Sequence, residues 1–149
     1  QIVRHRSFSF QEFSQRYAEA NTYEIREARM QDPKNRQNSI KLDRRKAEDV
    51  RLSEKFNMAQ HKVISLTREV YECALENGIA KEQARSVLPE GMTGTTLYMA
   101  GTLRSWIHYC ELRMANGTQE EHADIAKECW NIIGGHFPSV REAMSDRMG

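Results

Sequence analysis

Nothing in this 149-residue sequence is apolar for the roughly 20 consecutive residues that a membrane-spanning helix needs, which excludes a helical membrane protein. Charge of one sign is also missing: 22 Lys and Arg stand against 21 Asp and Glu, a net of +1. No basic field marks the whole chain as a nucleic-acid binder. Cysteine is sparse. Cys73, Cys110 and Cys129 are odd in number, widely spaced and set in apolar helical patterns, which argues against a disulfide framework and for reduced thiols in the cytoplasm. They have no CxxC spacing, so each reads as a small buried hydrophobe. The histidines lack HExxH or any similar spacing, so no metal site is expected, and neither GxGxxG nor a Walker pattern occurs. Repeats and low-complexity tracts are absent. The sequence opens Gln1-Ile2-Val3 without an initiator Met or a signal peptide, as though cut from a longer polypeptide.

What is present fits one domain of ordinary size, 1–149, with 39% hydrophobic and 29% charged residues. Residues 1–23 alternate apolar, basic and hydroxyl side chains and read as an extended segment with a turn, or with a helical turn over Gln11 to Ala20. Residues 24–45 lose periodicity and are expected to be the most mobile. Within them Asp32-Pro33-Lys34-Asn35 signals a turn, and Ser39 to Leu42 reads as a short strand or an ordered part of a loop. Phe56, Ala59, Val63, Leu66, Val70 and Cys73 then recur at alternating spacings of three and four. This predicts one apolar stripe on a long helix, Arg45 to Glu76, ended by Asn77-Gly78. A short helix from Lys81 to Val87 runs into Leu88-Pro89, a loop covers Glu90 to Gly94, and Thr95 to Met99 has strand character. Leu103, Ile107, Cys110 and Met114 mark another helix, closed by Asn116-Gly117. Thr118 with Glu121 reads as a capping box opening a helix that Gly134-Gly135 stops, and Ser139 with Glu142 as a second one. The chain is expected to be mostly helical with a few short strands.

Arginine carries the chemistry. Arg4, Arg6 and Arg16 crowd into the first 16 positions beside His5, Ser7, Ser9 and Ser14. Guanidinium forks match phosphate oxygens in pairs, and serine hydroxyls add neutral donors, so the segment reads as a phosphate cradle. The competing reading is a solvated basic terminus. Against it, Phe8, Phe10, Phe13 and Tyr17 are expected to pin the segment to a core. Arg85 precedes Leu88-Pro89, while Arg104 and Arg113 lie nine residues apart on one predicted helix, about half a revolution round it. They face different ligands or different subunits, or one of them is structural. His108 lies one turn after Arg104, on the same face. The mixed-charge block Lys41 to Arg51 reads as a solvated helix face.

Arg4-His5-Arg6, Ser9, Gln11, Ser14 and Arg16, at this spacing, closely resemble the RHRxxSxNxxSxR signature of the flavin-dependent thymidylate synthases, the ThyX family. Gln11 departs from it, standing where the family has Asn. Arg85 to Pro89 resembles the family's Arg-x-x-Leu-Pro element, Arg104 to Arg113 its helix ending in Leu-Arg, and Gln119 with Glu121 its Gln-x-Glu. Thr102 and Gly117 are further departures.

The resemblance implies an α/β fold (α+β by content) with helices around a sheet, of which the N-terminal part is missing here. It implies an enzyme that makes dTMP from dUMP, with methylenetetrahydrofolate as carbon donor and NADPH reducing a bound FAD. It further implies a cytoplasmic homotetramer with active sites shared between subunits, and no nucleic-acid or membrane partner. Carried over by position, Arg4, His5, Arg6, Gln11, Glu12, Arg104 and His108 would contact FAD. Gln1, Arg4, Glu12, Ser14, Gln15, Arg16, Arg85 and Arg113 would line the dUMP site, with Arg113 and Ser14 as the catalytic candidates. A fixed cation at Arg113 suits the charge that develops on uracil as its C5 attacks an electrophile. Ser14 lacks an evident base and is favoured as a hydrogen-bond donor to the nucleotide. Impaired activity of the isolated 149-residue chain is the expectation. Two rivals are a non-catalytic flavin- or nucleotide-binding descendant and a helical nucleic-acid module. The second predicts affinity that falls steeply with salt, and the balanced charge counts against it.

Overall fold

The computed structural model describes residues 1–20, 22–115 and 117–148. It divides into two compact units. The first comprises Gln1–Phe10, Gln31–Ile40 and Met99–Gly149; the second comprises Gln11–Met30 and Lys41–Tyr98. In chain order the strands are β1 (Ser9–Glu12), β2 (Arg29–Gln31), β3 (Ser39–Lys41) and β4 (Leu97–Ala100). The helices are α1 (Ala47–Glu76), α2 (Lys81–Ala84), α3 (Leu103–Met114), α4 (Glu120–His136), α5 (Pro138–Ala143) and α6 (Ser145–Met148). Short 3₁₀ turns occupy Ile2–Arg4 and Arg85–Val87. β1 pairs with β4 and β2 with β3, giving two separate two-stranded sheets. The chain is thus mostly helical with short strands, an α+β arrangement.

The first unit is built on α3 packed against α4. Tyr109 and Cys110 are fully enclosed there, with Phe8, Ala126, Trp130 and Ile133 around them. Phe8 meets Trp106 edge-on at 4.9 Å between ring centroids, a preferred aromatic geometry that anchors the chain just before β1. Phe8 therefore pins its segment as expected, and Phe10 packs at the core's edge. Phe13 and Tyr17 do not: they are 62% and 75% exposed. The Thr102 hydroxyl caps α3 by accepting the Ser105 N–H. Asn116 lies outside the described residues, so the predicted Asn116-Gly117 closure is represented by Gly117 alone, at φ +90°.

Three expected helix boundaries differ. The Thr118–Glu121 capping box is replaced by an α4 start at Glu120, where Gln119 is the N-cap residue, its carbonyl accepting from His122 and Ala123. Gly134-Gly135 do not stop α4, which continues to His136. Gly134 leaves room for the Arg141 side chain, whose Cδ would lie 2.7 Å from a Cβ at that position. Pro138 supplies the stop instead, and as the first residue of α5 it displaces Ser139 from the predicted cap.

The second unit hangs on α1, which ends at Glu76 with Asn77 Nδ2 donating to the Cys73 carbonyl and Gly78 at φ +78°. Its buried face is not the predicted stripe. Gln60, Ile64, Thr67 and Tyr71 face inward, one position on from Ala59, Val63, Leu66 and Val70. Phe56, Val63, Leu66 and Val70 are all exposed within the chain, and so is Cys73, contrary to its reading as a buried hydrophobe. Cys110 is wholly buried, as expected, and Cys129 only partly so. The polar face wins because its polar groups are satisfied. Gln60 Oε1 accepts the Arg26 N–H at 2.8 Å and Gln60 Nε2 donates to the Arg26 carbonyl at 2.9 Å. The Tyr71 hydroxyl accepts from Ala20 N–H. The predicted Asp32 turn is present, with Asp32 Oδ1 accepting from the Lys34 and Asn35 amides. Residues 24–45 thus carry a short strand pair, with β3 at the Ser39 strand.

Candidate active site

In the second unit the chain after β1 turns at Ser14. The Ser14 carbonyl accepts from Tyr17 and Ala18, and its hydroxyl accepts from Arg16 N–H at 3.3 Å. This turn opens onto a cavity of about 700 Å³ lined by Ser14, Gln15, Arg85, Ser86, Thr93 and Thr95, with the carboxylates of Glu12, Glu82 and Glu90. The segment around Thr93 is fixed by two main-chain bonds and one side-chain bond: Gly94 N–H donates to Thr22 O, Glu24 N–H donates to Met92 O, and Thr93 Oγ1 donates to Pro89 O. Arg16 Nε donates to Glu82 Oε2 at 2.9 Å, an exposed pair that holds the guanidinium beside the cavity. The Arg85 side chain has no hydrogen bond or ion pair among the described residues. Glu12, Ser14, Gln15 and Arg85 are therefore brought together in one cavity with Arg16 alongside. Gln11 is exposed on β1 outside that lining. Among the described residues no histidine lines the cavity, so none of them acts there as an imidazole base toward the Ser14 hydroxyl.

The first unit carries two further groups. Arg104 and His108, one turn apart on α3, line a groove of about 430 Å³ with an apolar floor of Leu103, Ile107 and Met144. Arg147 pairs with Glu111 at its edge. The exposed guanidinium groups of Arg104, Arg4 and Arg6 have no hydrogen bond or ion pair among the described residues. On another face of α3, Arg113 Nε donates to His5 Nε2 at 2.7 Å, and its terminal nitrogen donates to the Gln1 carbonyl at 3.2 Å. Arg104 and Arg113 are thus separated as their nine-residue spacing requires.

His5 is buried against Tyr109, its ring 5.0 Å from the phenol. Burial and the Arg113 charge hold its pKa below the ordinary value, so it is neutral and free to accept from arginine. Sequence reasoning missed its neighbours. His122 Nδ1 contacts Gln1 Oε1 at 3.1 Å and His122 Nε2 contacts the Tyr109 hydroxyl at 2.9 Å. Desolvation, then Arg113, lowers the His122 pKa to about 4, and desolvation pushes the Tyr109 phenol up to about 12. The four-residue spacing of Tyr109 and Arg113 on α3 places both on one side, a signal present in the sequence; nothing there pointed to His122.

The fold defines the class first. A crystal structure of the UMP/dUMP methylase PolB from Streptomyces cacaoi, bound with 5-Br UMP, matches with a TM-score of 0.80, covering 99% of this chain and 67% of that one at 24% identity. The two share a fold. The family follows from sequence: a family model described as Thymidylate synthase complementing protein (Thy1) matches residues 1–139, and the chain belongs to that family. It is 52% identical over 146 residues to the flavin-dependent thymidylate synthase of Synechocystis sp., covering 97% of this chain and 64% of that protein. With the probable flavin-dependent thymidylate synthase of Paramecium bursaria Chlorella virus 1 it shares 51% over 145 residues, at the same coverages. The chain therefore spans 64% of the length of these relatives.

Proposed function

We propose that this chain forms the catalytic part of a flavin-dependent thymidylate synthase, converting dUMP to dTMP with methylenetetrahydrofolate as carbon donor and NADPH as reductant. The observation that carries the reading is the Ser14–Arg16 turn beside a cavity lined by Arg85 and by serine and threonine hydroxyls. A nucleotide monophosphate needs charge compensation and several neutral donors at one end, and this set supplies both. Ser14 acts as a hydrogen-bond donor to the nucleotide, since no imidazole among the described residues of the cavity activates it as a nucleophile. Gln15 and Glu12 order the sugar and base.

Arg113 is the electrostatic catalyst. It is permanently charged, and the neutral His5 ring and the Gln1 carbonyl hold it in one orientation. A preorganised cation stabilises negative charge on the uracil ring most where water is excluded. Gln1 and Arg4 complete the nucleotide ligands, and active sites shared between subunits are part of this reading. The flavin fits the first unit by donor chemistry: the Arg4, Arg6 and Arg104 side chains, unpaired among the described residues, suit a pyrophosphate, and the Leu103–Ile107–Met144 floor suits an aromatic ring. His108, His5, Gln11 and Glu12 are its remaining proposed contacts. FAD, when bound, supplies the reducing hydride for the transferred carbon.

Assembly belongs to the same reading. The exposed α1 stripe repeats at the three-and-four spacing of helix–helix seams, and Leu66 on it is 62% exposed. We assign this stripe to the contact between subunits of a cytoplasmic homotetramer. Leu66→Glu is then expected to lower the mass measured by light scattering. The function itself is tested by supplying the complete protein with dUMP, methylenetetrahydrofolate, FAD and NADPH and measuring dTMP. Bound oxidised flavin perturbed by dUMP, together with dTMP formation, is the expected result. Flavin binding without dTMP overturns the reading in favour of a non-catalytic descendant.

A further inference from the structure

The groups around Gln1 form a continuous run of hydrogen bonds that reaches from the core to the surface. His122 projects from the first turn of α4, where its imidazole touches the enclosed Tyr109 hydroxyl through Nε2 and the Gln1 amide oxygen through Nδ1. The donor directions follow from chemistry. The Gln1 carboxamide oxygen only accepts, so His122 carries its proton on Nδ1; Nε2 then accepts from the phenol, which stays protonated because burial raises its pKa. A neutral imidazole satisfies both ends at once, in agreement with the lowered His122 pKa. The groups facing this imidazole are Tyr109 and Arg113 from α3, His5 and Gln1; burial first, and then the Arg113 charge, disfavours a second proton on it. Gln1 in turn accepts from Arg113 through its main-chain carbonyl, and Arg113 is held from its other side by His5.

We propose that His122 is a positioning residue, locking the Gln1 carboxamide to the buried Tyr109 hydroxyl and, through Gln1, keeping Arg113 in its place. The proposal rests on the reading of Gln1 and Arg113 as nucleotide ligands. Tyr109 is almost wholly enclosed, so it gives the relay a fixed foundation, and His122 is the bridge that carries that order outward to a residue on the surface. Without the bridge, the Gln1 side chain samples several rotamers, and its main-chain carbonyl is held toward Arg113 only through the Arg4 N–H of the Ile2–Arg4 turn, a looser mount for the guanidinium.

Titration of dUMP into the complete protein and its variants tests this. His122→Phe keeps a ring and removes both bonds; dUMP affinity is expected to fall about 5- to 10-fold, the effect of one ordinary hydrogen bond's worth of preorganisation. Tyr109→Phe, which deletes one oxygen, is expected to weaken binding in the same direction and stands in if His122→Phe does not fold. In a Gln1→Ala background His122→Phe is expected to add less than about twofold, because the bridge then has nothing to hold. Unchanged affinity in both variants, or an effect that simply multiplies with Gln1→Ala, overturns the proposal. Absence of dUMP binding by the unaltered protein overturns the functional reading instead. The relay is then decided by nitrogen NMR of labelled histidine: a proton on Nδ1 of His122 supports it, and a proton on Nε2 overturns it.

Discussion

Gln60 offers the sharpest quantitative test of how the second unit holds its site. It sits on α1 with 5% of its surface exposed, and its carboxamide closes a two-bond ring with the Arg26 main chain. Arg26 follows the segment whose Thr22 and Glu24 bond to Gly94 and Met92 at the cavity wall. Gln60→Leu preserves the volume and removes both bonds, leaving a part-buried N–H and C=O unpaired. Fully buried orphans cost about 1–3 kcal/mol each, and Arg26 retains some access to water, so about 1–3 kcal/mol in total is expected. For a chain of this length that corresponds to a melting point lowered by roughly 3–9 °C. Gln60→Glu separates bonding from packing. Its carboxylate faces the Arg26 carbonyl at neutral pH and destabilises the fold, whereas protonation at low pH restores a donor. The gap to the unaltered protein is therefore expected to narrow as pH falls. Urea unfolding of both variants between pH 7 and pH 4 measures this. A Gln60→Leu protein as stable as the original, or a Gln60→Glu gap that widens on acidification, would refute the reasoning.

Other perturbations give equally definite outcomes. Glu82→Gln releases Arg16 from an exposed ion pair worth about 0.2–1 kcal/mol, so dUMP should bind up to about fivefold more tightly by calorimetry, the gain shrinking with added salt. Weaker binding would show that Glu82 serves the nucleotide directly. His122 is depressed to about 4 when folded, so between that value and its ordinary 6.5 the unfolded chain binds the extra proton. Stability should fall as pH drops through this window, by about 1–2 kcal/mol from this group once solvent screening is allowed for, and a His122→Phe protein should lose that part of the slope in denaturant titrations. Under native conditions iodoacetamide should spare Cys110, which is enclosed and whose thiol burial pushes up to about 12, and should label Cys73 faster in the Leu66→Glu protein, whose α1 stripe is freed, than in the unaltered one; mass spectrometry of the peptides reads the outcome.

Local rules were legible from the sequence wherever one residue's covalent character decides the structure. Gly78 takes a positive φ after α1 and Pro89 follows the Arg85–Val87 turn, as glycine and proline in those places predict. The half-turn separation of Arg104 and Arg113 is a property of helix geometry, and the spaced Arg, His and Ser residues after Gln1 sufficed to suggest the family. Where packing decides, the sequence misled. The apolar stripe of α1 has the period of a buried face, yet the helix is rotated by about one residue so that Gln60 and Tyr71 turn inward. Periodicity counts greasy positions, and it cannot see that Arg26 and Ala20 await those two polar side chains.

The sequence by itself determined that the chain is helix-rich and where α1 ends. Only tertiary structure decided what each arginine faces: Arg113 against His5 and Gln1, Arg16 against Glu82, Arg104 open to a groove. The physical reason is range. Caps and turns are settled within a few residues by sterics and local hydrogen bonds, whereas the Arg113–His5 contact joins positions 108 residues apart, and its partners exist only once the core around Tyr109 has formed.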